Sequence, residues 1–356
     1  MTYLYNLLLI PLYYFAIYHF FPEKLARKYF FLIVIIHAVL FRALSNPYDY
    51  VDTLGYAEAF GIISEMSFDE AILSVNYFTG WGQGYVTLNW LIGQWTDNPI
   101  FLFVVLATVS VGGVILYYYK TSYTPLLSVL FYLLYPMMYY QGFGVVRQHL
   151  AIVFVLWALY YMRNLKIAVP LSIIGVLCHS TAIVVFPFFF IRNFNMRTFN
   201  SLKLMVFSIV GFFAAGFGAS FLASMSSRYG DILETEGEQN NIVPVGVLGA
   251  VLISCFLTGI MKKIKNDREL FVIRFLIYGF VIALFGTTVP RAGRLSLYFI
   301  YAVPVAFSLL YKYTNRDTKW IFVMCTISLF LVVFYLMSKM MSRYEVYHFF
   351  WEVSSR

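Results

Sequence analysis

Apolar runs of similar length, separated by short polar connectors, follow one another along the whole chain. Runs at 3–21, 29–44, 99–119, 124–140, 146–162, 202–222, 244–261, 271–288, 295–311 and 320–338 each approach the roughly 17 to 25 residues that a helix needs to cross a bilayer. The pattern predicts about ten membrane-spanning helices. A further apolar stretch, 167–191, is interrupted at its centre by Cys178-His179-Ser180-Thr181 and later by Pro187. Two long polar loops remain, 45–98 and 223–243. Within the first, 52–64 and 68–75 have helical apolar spacing with acidic first turns, consistent with short helices at the membrane interface. Gly80-Trp81-Gly82-Gln83-Gly84-Tyr85 reads as a flexible turn, and 85–95 as an apolar helix too short to span.

Composition turns this pattern into a fold class. With 61% hydrophobic and 12% charged residues and a mean hydropathy of +0.77, the chain has too little polar surface to cover a soluble fold. An all-α polytopic membrane protein is expected, a single integral domain over 1–356. The 21% aromatic content suits lipid-facing helices with tyrosine belts at both interfaces. The start, Met1-Thr2-Tyr3-Leu4-Tyr5, has no basic n-region and reads as an uncleaved first span. Cys178, Cys255 and Cys325 all fall in apolar segments, so neither a disulfide framework nor a metal site is expected.

The net charge of +8 is a topology signal here, and no nucleic-acid partner is expected. Most of the basic residues cluster in the connectors near 23–28, 120, 163–166, 192–203, 262–268 and 312–319. If these are cytoplasmic, 45–98 and 223–243 are external, and both are acidic. Segment 167–191 must then start and end on the cytoplasmic side. Split at His179, it forms two arms of about a dozen residues, each reaching roughly 18 Å at 1.5 Å per residue, which describes a re-entrant hairpin. The alternative, a single ordinary span, would invert everything on one side of it. The favoured parity places both termini outside, and it places Arg42, Arg147, Arg291 and Arg294 at the outer ends of their helices, where cations are depleted. They face the acidic first loop and its Asp49 and Asp52.

Asp52-Thr53-Leu54-Gly55-Tyr56 is followed by Gly84-Tyr85-Val86-Thr87-Leu88-Asn89. After them come Phe143-Gly144-Val145-Val146-Arg147-Gln148-His149-Leu150-Ala151, Leu177-Cys178-His179-Ser180-Thr181-Ala182 and Arg294-Leu295-Ser296-Leu297-Tyr298-Phe299. This succession, over about 49–307, resembles the EpsG family of bacterial exopolysaccharide proteins, relatives of the Wzy O-antigen polymerases. The chain departs from the pattern at Gln83, where an acidic residue is expected, so no role for that acid carries over.

The resemblance implies a membrane-embedded polymerase similar to glycosyltransferase class C enzymes, in the bacterial cytoplasmic membrane with its active site facing the periplasm or cell exterior. Its partners would be glycan donor and acceptor linked to undecaprenyl pyrophosphate, membrane lipids, and chain-length regulator and flippase proteins. On that reading Arg147 and Arg294 neutralise the pyrophosphate leaving group, with Arg291 in support, because guanidinium donors can do so without a metal. His179, beside Ser180 at the hairpin tip, is a candidate base for the acceptor hydroxyl or a phosphate ligand. Asp52 competes for the base role, unless it serves as an ion-pair partner or helix cap. Gln148, Tyr56, Asn89 and Asp49 offer further contacts to sugar or phosphate. Asp49 and Asp52 alone are too few ligands for a divalent ion, so neither metal nor cofactor is expected. A lipid-linked oligosaccharide flippase or transporter and a glycan-modifying acyltransferase remain alternatives. The flippase reading lacks an internal repeat in the sequence.

Overall fold

The computed structural model describes residues 2–46, 48, 51–74, 81–191, 242–287, 293–340 and 347–352. Asp49, Arg291, the apolar run 202–222 and nearly all of the loop 223–243 lie outside the described residues. Among those described, every named element is helical, and the only β pairing is an isolated bridge between Ser45 and Phe349. The chain divides into two units, Met1–Phe189 with Val323–Arg356, and Phe190–Phe322.

The first unit begins with α1 (Thr2–Phe20) and α2 (Glu23–Ala43), which pack together around Phe30. Two arginines tie α2 to α6 (Pro99–Thr121). At the start of α2, Arg27 donates to the carbonyls of Tyr119 and Ser122 at 2.7 and 2.6 Å. At its end, buried Arg42 donates to Ser110 Oγ at 2.9 Å and to the Gly142 carbonyl. Ser110 sits in a π-helical turn, Thr108–Gly112, that interrupts α6. Such a bulge frees one backbone group from the regular ladder and re-aims the side chains that follow.

The first loop carries α3 (Val51–Ser64), α4 (Phe68–Leu73) and α5 (Gln83–Gly93), where the spacing predicts helices. A reciprocal Ser67–Glu70 capping box starts α4. The Ser67 hydroxyl and backbone N–H both donate to the Glu70 carboxylate, at 2.7 and 2.9 Å, and hold it below its ordinary pKa.

α7 (Pro125–Leu134) ends earlier than its apolar run, because Pro136 follows and the chain turns through 135–140. After it come α8 (Val146–Tyr160) and α9 (Leu165–Cys178). At His179 the backbone becomes extended, φ −155° and ψ 120°, and a 3-10 turn (Ser180–Val185) leads into α10 (Phe186–Ile191). Here the chain bends back on itself. A Cβ built at Gly175 would lie 3.6 Å from Ala182 Cβ and 3.4 Å from the Ala151 carbonyl of α8, whereas seven residues of straight helix would span about 10 Å. Tyr347–Glu352 returns to the end of α2, where Asn46 and Phe350 amides exchange hydrogen bonds with the His348 and Leu44 carbonyls, both at 2.9 Å.

In the second unit, α11 (Ile242–Leu257) gives way to Gly259, whose φ of 61° lies in the left-handed region that favours glycine after a helix. α12 (Asp267–Phe285) follows, then α13 (Gly293–Ile300) and α14 (Val303–Tyr313). The apolar run 295–311 is therefore broken, with Pro304 in the first turn of the later helix. Buried Glu269 accepts from Lys312 Nζ and the Tyr313 hydroxyl, each at 2.7 Å.

α15 (Lys319–Met340) runs from the second unit into the first. Three helical stretches among the described residues, Pro99–Thr121, Arg294–Tyr313 (α13 and α14 taken together) and Arg316–Tyr335, are long and apolar enough to cross a membrane. Along the last, Trp320, Met324, Val332 and Tyr335 are all exposed. An exposed apolar face of that length fits lipid better than water.

Candidate active site

Arg147 is the second residue of α8 and half-buried. Its guanidinium lies 5.3 Å from the ring centroid of Trp81 and 5.5 Å from that of Tyr56, and its Nε–H donates to the Tyr56 hydroxyl at 3.2 Å. The aromatic quadrupoles of both rings attract the cation. Tyr85 closes the group, with ring centroids 5.2 Å from Trp81 and 5.7 Å from Tyr56. Tyr56 comes from α3, Trp81 and Tyr85 from the start of α5, and Arg147 from α8. Three helices thus meet at one cation.

Asn89, one turn after Tyr85, is fully buried and donates from Nδ2 to the Tyr85 carbonyl at 2.7 Å. Its Oδ1 and the Tyr85 hydroxyl make no hydrogen bond of normal geometry among the described residues. Asp52 is exposed in the first turn of α3, four residues before Tyr56 and therefore on the same helix face.

The His179 bend adjoins this cluster through the Trp81–Tyr85 turn. A Cβ at Gly82 would overlap the Leu177 carbonyl oxygen and lie 3.2 Å from the carbonyl carbon of Cys178. One at Gly84 would lie 2.8 Å from Leu177 Cβ. The glycine-rich segment predicts a flexible turn, but residues 81–85 are packed against the end of α9, since two glycines let the backbones come into contact. His179 is half-buried, with Nδ1 2.6 Å from Thr181 Oγ1, and Ser180 is exposed beside it. When Nδ1–H donates to Thr181, Nε2 carries the imidazole lone pair, which is the form a proton acceptor needs.

The sequence model of the EpsG family matches residues 28–351. The chain belongs to the EpsG family. No curated protein and no solved structure matches it. EpsG proteins are exopolysaccharide, Wzy-like polymerases, and this member is a polysaccharide polymerase-like membrane protein.

Within this EpsG chain, Tyr56, Asn89, Arg147, His179 and Ser180 belong to neighbouring parts of the first unit. Gln148 is buried behind Arg147 in the first turn of α8, along with His149. Arg42 shares the location expected of the site cations, yet it is buried among Ser110, Gly142 and the Phe143 ring, 5.6 Å away. Arg294 is exposed in the first turn of α13, in the second unit. Asp49 and Arg291 fall outside the described residues. Sequence reasoning passed over Trp81 and Tyr85. The available signal was an aromatic residue between glycines, Gly80-Trp81-Gly82, directly before Gln83-Gly84-Tyr85.

Proposed function

We propose that the protein joins oligosaccharide repeat units carried on undecaprenyl pyrophosphate, at the outer face of the bacterial cytoplasmic membrane, in a fold of about ten spans like that of class C glycosyltransferases. The observation that carries this reading is Arg147, an arginine caged by aromatic rings beside the His179 bend, in a chain of the polymerase family. The acceptor hydroxyl attacks the anomeric carbon of the donor. A new glycosidic C–O bond forms, the bond to pyrophosphate breaks, and its electron pair leaves on the phosphate oxygen.

Arg147 neutralises that developing charge. Placed among aromatic rings, its cation is less well solvated than in bulk water, so it acts more strongly on the leaving group. Arg294 is assigned the same chemical task on its motif alone, with Arg291 in support. The proton released by the acceptor passes to His179 or to Asp52, and Tyr56, Asn89, Gln148, Ser180 and Asp49 supply hydrogen bonds to sugar or phosphate.

Reconstitution of the purified protein with lipid-linked repeat units tests the reading. A ladder of longer glycans, with release of undecaprenyl pyrophosphate, is expected. Transfer of the lipid across the bilayer with no new glycosidic bond would overturn it in favour of a flippase. Arg147→Ala and Arg294→Ala should each abolish the ladder while leaving the protein in the membrane. Full activity in both variants removes the leaving-group assignment.

A further inference from the structure

The turn at 81–85 touches two parts of the proposed site at once. On one side the Trp81 ring lies against the Arg147 guanidinium, 5.3 Å from centroid to cation, and the turn's last residue, Tyr85, backs both Trp81 and Tyr56. On the other side Gly82 and Gly84 rest on Leu177 and Cys178, the residues that lead directly into the His179 bend. Tyr85 is buried in the first turn of α5, whose Val86 is buried with Ile63 of α3 and Ala71 of α4, with Trp81 packed against that group. The turn therefore has a rigid base.

Gly82 shows why the contact is specific. Its backbone angles, φ −85° and ψ 145°, are open to any residue, so conformation does not call for glycine here. Space does. A methyl group at this position would collide with backbone atoms of Leu177, which no rotamer change can move aside. Gly61, on α3 in the same loop, has nothing within 4 Å of a built Cβ.

We propose that the Trp81–Tyr85 turn is a positioning device that sets Arg147 and the His179 bend at a fixed separation, with Gly82 as its seat and Trp81 as its arm. This rests on the polymerase reading above. Lifting the turn off α9 shifts Arg147 relative to His179, and errors of about 1 Å at such distances can cost on the order of a hundredfold in rate. Donor affinity, set largely by the lipid and the glycan, changes little.

The test uses the full chain in proteoliposomes, with lipid-linked oligosaccharide extracted from producing cells as substrate. Gly82→Ala is expected to lower kcat on the order of a hundredfold with KM nearly unchanged. It should also speed hydrogen exchange at the His179 and Ala182 amides, which bond to the Gly175 and His179 carbonyls in the native bend. Gly61→Ala should match the unaltered protein in both measurements. Wild-type kcat in a folded Gly82→Ala protein overturns the proposal, and so does an equal loss in Gly61→Ala.

Should Gly82→Ala fail to fold, Trp81→Phe and Trp81→Leu carry the test. Phenylalanine keeps an aromatic face for Arg147 and should retain most activity, whereas leucine keeps apolar bulk without that face and should lose kcat. Equal activity in the two, or a raised KM with kcat intact, overturns the positioning role. If the unaltered protein makes no polymer, the polymerase reading fails by itself, and the exchange rates in Gly82→Ala still decide whether the turn holds the bend.

Discussion

At the residue scale, the same amino acid serves two ends in this chain. Arg42 and Arg147 are both arginines at apolar helix ends, and their surroundings in the sequence look alike. Arg42 is buried and bonded to Ser110 Oγ and the Gly142 carbonyl, so it works as a bolt between α2, α6 and the turn before α8. Arg147 keeps partial exposure and is held by rings and one phenol. Arg42→Met should therefore lower the melting temperature in detergent, since an orphaned buried acceptor costs about 1–3 kcal/mol. Arg147→Met should leave melting nearly unchanged and stop elongation, and the opposite pattern would exchange their roles. Tyr56→Phe removes the hydroxyl, which accepts from Nε–H and is assigned to substrate, and keeps the ring. A hydrogen bond to a charged group contributes about 1.5–3 kcal/mol, so elongation should fall by about tenfold or more, and an unchanged rate shows that Arg147 does not need this tether. Arg147→Lys should not rescue function, because an ammonium lacks the planar fork that stacks on Trp81.

At the element scale, the helices of the first loop were readable from spacing. Apolar residues at helical intervals, with Asp52 and then Asp69 and Glu70 in first turns, marked α3 and α4 in advance. The break at His179 was readable too, because Cys178-His179-Ser180-Thr181 places polar groups inside an apolar run. The π-helical turn of α6 and the split of 295–311 were not. The first answers to a neighbour, since Ser110 meets Arg42 from another helix; the second half of the split run begins at Val303 with Pro304 in its first turn, a local signal that hydropathy passes over.

The capping box of α4 yields a pH dependence. Glu70 has a lowered pKa in the folded chain, so its hydrogen bonds to Ser67 stabilise α4 above the ordinary carboxylate range and are lost as pH falls through the lowered value. The protection of the Ala71 amide, which bonds to the Ser67 carbonyl, taken relative to the intrinsic exchange rate at each pH, should fall on acidification. Ser67→Ala, which removes the hydroxyl and keeps the backbone N–H donor, should weaken that dependence. A protection factor that ignores pH in the unaltered protein would rule out the box as the fastening of α4.

At the scale of the whole molecule, the membrane assignment rests on the apolar runs, the exposed hydrophobic face of α15 and family membership. The basic connectors predict a direction of insertion, and labelling tests it. In a Cys325→Ser background, Glu65→Cys in the first loop should react with a membrane-impermeant maleimide on intact cells. Asp317→Cys, in the connector before α15, should react only after permeabilisation, and the reverse labelling pattern would invert the topology.

Hydropathy, helical period and charge bias are properties of short windows, so the sequence alone determined a helical membrane protein and its family. Which arginine is buried among structural partners, and which keeps partial exposure, was decided only by tertiary contacts. Arg147 meets Tyr56 from 91 residues away, and Arg42 meets Gly142 from 100. Gly82 likewise owes its small size to a Leu177 carbonyl far along the chain. Burial and close approach depend on distances between segments that no local pattern records, and only the folded chain brings those segments together.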